Sequence, residues 1–283
     1  MSGNTKSESI VSVQNLGKKY GSIQGLAPGF CCEIERGVNT VLLGSNGAGK
    51  STLMSIMVGL RKQDTGEVFI DGVSSLNPSS RERLRYLPED VEMPKGCNLL
   101  DLVREYNKNG AMIDTDAVKE LAGQFRCSDR IERKMKSLSK GQRRLLLLSL
   151  ILSGNPKTVI LDEPMEALDP TNIHLVRNRI NQMCKSGTTV LQSTHRIHEA
   201  QRQGGNYLII HDGVNKASGT MNNMKNTVKL PLEVADSLGI PAEHRFLSSP
   251  EHCIVNREGL SGDTAQKHAT DVTLEDIFLV AVE

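Results

Sequence analysis

Residues Gly44-Ser45-Asn46-Gly47-Ala48-Gly49-Lys50-Ser51-Thr52 restrict this chain more than any other stretch. The apolar run Val41-Leu42-Leu43 leads in, and helix-spaced Leu53, Ile56, Met57 and Leu60 lead out. Two glycines, four residues between them, followed by Lys and Ser is the spacing of a phosphate-binding loop. Glycines let successive backbone N–H groups turn inward around an anion. The helix that follows points its positive end at the same place. Lys50 can reach β- and γ-phosphates, and the Ser51 hydroxyl can hold Mg²⁺. The bland alternative is a glycine-rich turn between strand and helix. The strand before and the helix after favour nucleotide binding, with Ser45, Asn46, Gly47, Ala48, Gly49, Lys50, Ser51 and Thr52 as the contacts.

Bulk composition removes several other classes. The 283 residues allow one large domain, or one domain with a small appendage. A net charge of +1 makes no electrostatic case for nucleic acid or a membrane surface. Aromatics are 3% and Trp is absent, so stacking platforms for single strands are not expected. The longest apolar stretch, Leu145 to Leu152, is far short of the ~20 residues a membrane span needs. The first ten residues are polar, so no leader is expected and residues 1–8 read as a disordered N-terminus. The six cysteines are scattered and none forms C-x-x-C, which suggests reduced thiols in the cytosol.

Along the chain, Ile10 to Val13 is a short strand, and Phe30, Cys32 and Ile34 alternate as the buried face of another. Glu67 to Ile70 is a strand, and Asp71-Gly72 signals a hairpin. Tyr86-Leu87 ends a strand before Pro88-Glu89-Asp90. A helical block then interrupts the strand–helix alternation, with stripes Leu99, Leu100, Val103, Tyr106 and Val118, Leu121, Ala122, Phe125. Leu138-Ser139-Lys140-Gly141-Gln142 opens a further helix, and Thr158 to Leu161 is a buried strand ending in Asp162-Glu163. Val190 to Gln192 ends at Ser193-Thr194-His195, and Asp212-Gly213 turns a hairpin. Thr273 and Asp276 form a capping box for a last helix carrying Leu274, Ile277, Phe278 and Ala281 on one face. That helix reads as one that closes a small appendage. The expected domains are a nucleotide-binding domain over 9–226, its helical subdomain about 90–154, and an appendage over 227–283.

The chemistry gathers at strand ends. Asp162 follows four apolar residues on what reads as the central strand, so its carboxylate faces the crevice beside the loop. Asp162 is expected to ligate Mg²⁺, and Glu163 to orient and deprotonate an attacking water. His195 ends the next core strand and can hydrogen-bond a γ-phosphate or the carboxylate. His198 gives H-x-x-H, read as helix surface and not as zinc. Ser139, Gly141 and Gln142 at a helix start make a second anion cradle. One ATP does not need two cradles from one chain, so the second is expected to serve the ATP of another subunit, head to tail. Arg130, Arg133, Lys134, Lys136, Lys140, Arg143 and Arg144 crowd this region, and most of them read as solvated helix surface.

At this point the chain resembles the ATP-binding-cassette (ABC) ATPases. Gly44 to Thr52 looks like the Walker A loop, Leu138 to Gln142 (LSKGQ) like the family signature, and Asp162 like the end of the Walker B strand. Leu168-Asp169 looks like the D-loop, His195 like the switch histidine, and Tyr20 like the aromatic that stacks on adenine. The ending, Ser218-Gly219-Thr220 and then Thr273 to Leu279, resembles the bacterial export-type subgroup with separate membrane subunits. The resemblance implies an α/β fold: a P-loop NTPase core with an antiparallel β subdomain, the inserted helical subdomain and a small C-terminal α/β appendage. It implies ATP and Mg²⁺ as cofactors, with Ser51, Glu89 and Asp162 on the metal, and Glu163, His195 and Lys50 in catalysis. It implies a homodimer or a heterodimer with a close paralogue, driving an integral membrane permease from the cytoplasmic face, without nucleic acid and without inserting in the membrane. The alternative is a soluble ABC ATPase acting on ribosomes or DNA. Those usually carry tandem cassettes, coiled-coil insertions or basic extensions. Three positions depart from the family pattern: Glu89 where many members have Gln, Lys140 for a signature Gly, and Glu166 for a D-loop Ser.

Overall fold

The computed structural model describes residues 8–82, 84–110, 112–241, 245–256 and 269–282, so the disorder expected over 1–8 lies outside the described residues except at Glu8. Among the described residues the strands form three sheets. The first is antiparallel: β1 (Ser9–Tyr20), β2 (Ile23–Glu35), β4 (Thr65–Ile70) and β5 (Val73–Ser74), in the order β2-β1-β4-β5. The second carries β3 (Asn39–Leu43), β6 (Leu84–Leu87), β7 (Thr158–Leu161), β8 (Thr189–Thr194), β9 (Asn206–His211) and β10 (Val214–Thr220), ordered β10-β9-β3-β8-β7-β6. β9, β3, β8, β7 and β6 run parallel, and only β10 is antiparallel. The third joins β11 (Thr227–Pro231), β12 (Arg245–Ser248), β13 (His252–Asn256) and β14 (Thr270–Asp271).

The short strand read from Ile10 to Val13 is twelve residues long, because β1 is the shared middle partner of β2 and β4. The expected central strand is also corrected. β7 lies next to the sheet edge, between β8 and β6, and β3 and β8 hold the middle. An apolar run reports burial on both faces, which β7 has, and carries no information on rank in the sheet.

Period-two alternation along β3 builds two cores. Leu42 packs with the antiparallel sheet and with α1 (Lys50–Met57) through Leu53, Met54, Ile56 and Met57. Val41 and Leu43 face the other side, against Tyr207 and Ile209 of β9, Ala200 of α6 (Ile197–Gln203) and the last helix. A third core joins α2 (Leu99–Lys108), α3 (Thr115–Gln124) and α4 (Lys140–Ile151) to β7 and α5 (Pro170–Lys185). α4 is buried nearly all round, which its run of leucines requires. Tyr106, read as part of the α2 stripe, is 42% exposed and stands outside the buried core.

The last helix, α8 (Leu274–Val282), does more than close the appendage, whose own short helix is α7 (Leu232–Ser237). Leu274, Ile277, Val280 and Ala281 of α8 share one core with Val41 and Leu43 of the loop strand, and α8 itself contacts α6, β9, β10, β12 and β13. Its cap is reciprocal: Asp276 N–H donates to Thr273 Oγ1 at 3.2 Å, and Thr273 N–H donates to Asp276 Oδ2 at 2.9 Å. Lys229 Nζ donates to the other carboxylate oxygen at 3.1 Å. Burial pushes the Asp276 carboxyl up, but the bonds from Thr273 and Lys229 outweigh it and hold the group below its ordinary value. A carboxyl lowered in the fold adds stability that is complete above the free-Asp value of about 3.9 and is lost as pH falls through the folded value. Asp276→Ala should therefore cost about 1 kcal/mol at pH 7. In urea denaturation the gap to wild type should close as pH drops below about 4.

Candidate functional site

The loop leaves β3 at Leu43 and enters α1 at Lys50. Gly49 caps the helix at φ 108°, and a Cβ there would strike the Gly25 carbonyl, so only glycine fits. No side chain caps α1, which leaves its first N–H groups directed at the loop. Ser45, Asn46 and Gly47 are exposed, while Ala48 and Gly49 are buried. Lys50 arches over the loop: its Nζ donates to Gly44 O at 2.8 Å and Ser45 O at 3.2 Å. The loop thus forms an amide-lined turn with one buried cation above it.

Parallel pairing aligns the strand ends beside this loop. Leu43 of β3 pairs with Thr194 of β8, and Gln192 of β8 pairs with Leu161 of β7. His195 and Asp162-Glu163 therefore leave the sheet at the same edge as the loop. Glu163 Oε1 lies 3.8 Å from Lys50 Nζ and 3.1 Å from His195 Nδ1. Among the described residues that oxygen accepts no hydrogen bond, although Glu163 is buried. His195 is about half-exposed, so one edge of the imidazole faces solvent.

Glu163 also carries backbone strain, with φ 46°. Left-handed backbone at a residue with a Cβ costs roughly 1–2 kcal/mol and persists only where neighbours enforce it. Two side chains do so. Ser193 Oγ donates to Asp162 Oδ1 at 2.5 Å and accepts the Glu163 N–H at 2.8 Å. Arg144, 5% exposed, donates to Glu163 O at 2.7 Å, to Asp162 O, and to Pro88 O at 2.7 Å. Neither role was legible in the sequence. In the sequence Ser193 reads as a strand end, and Arg144 falls in a basic run that reads as mostly solvated helix surface. The one available signal is its place immediately before the leucine-rich stretch of α4.

Tyr20, Ser51, Thr52, Glu89 and Asp162 line one cleft of ≈ 720 Å³. Arg61 lines it too, its guanidinium 5.3 Å from the centre of the Tyr20 ring, with Lys18 at 5.6 Å. That cation–π pairing was missed from sequence, since the two residues are distant in the chain. Ser51, Glu89 and Asp162 offer hydroxyl and carboxylate oxygens, the donor set Mg²⁺ prefers. Burial pushes the Glu89 carboxyl up, and Asp162, Glu166, Glu163 and Asp90 add to it. A carboxyl raised by acidic neighbours in this way fits a nearby cation. Among the described residues no group of three or more His, Cys, Asp or Glu forms a complete metal cage. Mg²⁺ ordinarily takes one or two carboxylates and leaves the rest to water and phosphate, so the residues present fit it.

Ser139, Gly141 and Gln142 stand apart from this cleft. Ser139 caps α4: Gln142 N–H donates to Ser139 Oγ at 3.2 Å, and Ser139 N–H donates to Gln142 Oε1 at 3.2 Å. None of the three lines the cleft or bonds the loop of the same chain. A Cβ at Gly141 would strike the Ala167 carbonyl, so this helix end is packed on the turn before α5. Two of the three departures meet here: Lys140 Nζ donates to Glu166 Oε1 at 2.8 Å. Asp169, in that same turn, caps α5, accepting the Asn172 N–H at 3.0 Å. His198 is exposed on α6 and faces Glu275 at 3.9 Å, away from the cleft.

A parallel sheet with a glycine loop, a buried lysine and two strand-end acids defines a P-loop ATPase. An ABC transporter family model matches residues 29–166, a span that holds the loop, Glu89, the LSKGQ stretch and Asp162-Glu163. The Nod factor export ATP-binding protein I of Burkholderia lata is 28% identical, aligned over 95% of each chain. The daunorubicin resistance ATP-binding protein DrrA3 of Streptomyces coeruleorubidus is 27% identical, over 96% of this chain and 92% of its own. A solved structure of the ATP-binding subunit of an ABC transporter superposes with a TM-score of 0.69 at 25% identity, covering 83% of this chain and 95% of that one. The family model, these relatives and the shared fold together support an ATP-binding, ATP-hydrolysing subunit of the ABC transporter type.

Ser193→Ala removes both the donor to a buried carboxylate and the acceptor of a buried N–H. It should cost about 1–3 kcal/mol in urea denaturation. A cost near zero would mean that the strained turn does not depend on this bridge.

Proposed function

We propose that the chain powers an ABC exporter by closing head to tail with a second copy over two ATP molecules and reopening on hydrolysis. The observation that carries this reading is the Glu163 carboxylate, buried and unbonded at Oε1, beside both Lys50 Nζ and His195 Nδ1. In this reading the amides of Ser45 to Thr52 cradle the phosphates, and Lys50 moves from the loop carbonyls onto the β- and γ-phosphates. Tyr20 stacks on adenine. Glu163 takes a proton from water as its oxygen attacks the γ-phosphorus. The bond to the β,γ-bridging oxygen breaks, giving ADP and phosphate. His195 orients Glu163 and faces the γ-phosphate. Ser51, Glu89 and Asp162 would hold Mg²⁺, which supplies charge neutralisation on the phosphates when bound. Ser139, Gly141 and Gln142 of the second copy cover the other side of the nucleotide.

The names of the relatives, for Nod factor export and daunorubicin resistance, support export as the direction. Among the described residues no helix is long and apolar enough to cross a membrane. The relative named for Nod factor export is called an ATP-binding protein, which supports leaving cargo movement to a separate permease. That permease would dock near Glu89 and the helical subdomain, about 90–154, of a nucleotide-binding domain over 9–226, on the cytoplasmic face. The appendage over 227–283 stiffens the strand behind the loop. A net charge of +1 supports neither the nucleic-acid alternative nor direct lipid binding.

Glu163→Gln should slow hydrolysis by about 100-fold or more, the scale of a lost general base. It should still bind ATP and elute as a closed dimer in its presence. Turnover at the wild-type rate would remove Glu163 from catalysis, and a monomer with ATP bound would remove the sandwich.

A further inference from the structure

We propose that Arg144 is a positioning residue for hydrolysis: it fixes the strained Asp162-Glu163 turn and ties it to the Pro88-Glu89 turn. The guanidinium reaches Pro88 O at 2.7 Å, Glu89 O at 3.1 Å, Glu163 O at 2.7 Å and Pro164 O at 3.4 Å, and it also bonds Asp162 O. Every acceptor is a main-chain carbonyl, and they come from two separate turns. A planar fork of five N–H groups can span such a set, whereas an ammonium presents three donors from one point. Burying a guanidinium is expensive unless its donors are met, and here carbonyls meet them.

The target of these bonds is the feature that matters. Glu163 sits at φ 46°. Ser193 holds the N–H of this residue, and Arg144 holds its carbonyl together with those on either side. Arg144 makes no hydrogen bond or ion pair to the Glu163 side chain; it acts through the backbone, which sets where that carboxylate points. The same guanidinium links Glu163 to Glu89, so the two acidic turns move as one body. Arg144 is also in the second turn of α4, whose first turn carries Ser139 and Gly141. A shift of α4 would therefore be transmitted to both turns at once.

This inference rests on the reading of Glu163 as general base, so the test runs Arg144→Lys and Arg144→Gln beside Glu163→Gln. The readouts are kcat, KM for ATP, and the thermal unfolding midpoint of the full chain. Misplacing a reacting group by ~1 Å costs about 100-fold. Both Arg144 variants should lose about 10- to 100-fold in kcat, with KM changed less than about threefold and the protein folded. Wild-type kcat in both variants overturns the proposal. So does a loss of kcat matched by equal losses in affinity and in folding, or failure of both variants to fold, because Arg144 would then serve the fold alone. If Glu163→Gln itself hydrolyses ATP normally, the base reading fails, whatever the Arg144 variants do.

Discussion

The parallel register of β3, β8 and β7 is the constraint on which the cleft depends. Leu43, Thr194 and Leu161 end three strands at one edge of the sheet, and the chain leaves them as the glycine loop, His195 and Asp162-Glu163. A slip of one residue would turn each inward side chain to the opposite face. Three tightly packed cores forbid that slip, because β3 is buried on both faces and each face has its own partners. Catalytic geometry is thus inherited from hydrophobic packing.

Within that frame, charge is arranged in layers. Lys50 and Glu163 are both nearly buried, at 7% and 8% side-chain exposure. Such a pair is tolerated when each member has further polar partners: Lys50 has two loop carbonyls and Glu163 has His195. Below them Arg144 neutralises the carbonyl ends of two acidic turns. At the surface Lys140 pairs with Glu166, each more exposed, and contributes little stability there. The value of that pair is geometric: two departures from the family pattern compensate each other and keep the start of α4 against the turn before α5.

The sequence made the loop, the strand-end acids, the capped helices and most strand faces legible, because each depends on local spacing. Gly49, Asp162, the Thr273–Asp276 cap and the buried face of β2 all belong to that group. What it hid depends on distant partners. The place of β7 in the sheet follows from which strand pairs with it, and apolarity does not encode that. Ser193 and Arg144 acquire their roles only when β8 and α4 are brought against the Asp162-Glu163 turn. The left-handed backbone of Glu163 has no sequence signature, since glutamate is a poor choice for it. Arg61 meets Tyr20 across the cleft for the same long-range reason, and α8 reaches the loop strand through a core that only the tertiary fold creates.

The central claim is that one chain holds half of each ATP site. Mixing two inactive variants tests it most directly: Lys50→Ala, which spoils the loop, and Ser139→Arg, which blocks the start of α4. Each alone should hydrolyse ATP at background rate, because both sites of its dimer carry the same defect. In the mixture, half of the sites in each heterodimer combine an intact loop with an intact Ser139 from the other chain. The account expects activity to reappear on mixing, and a mixture as inactive as its components would contradict it.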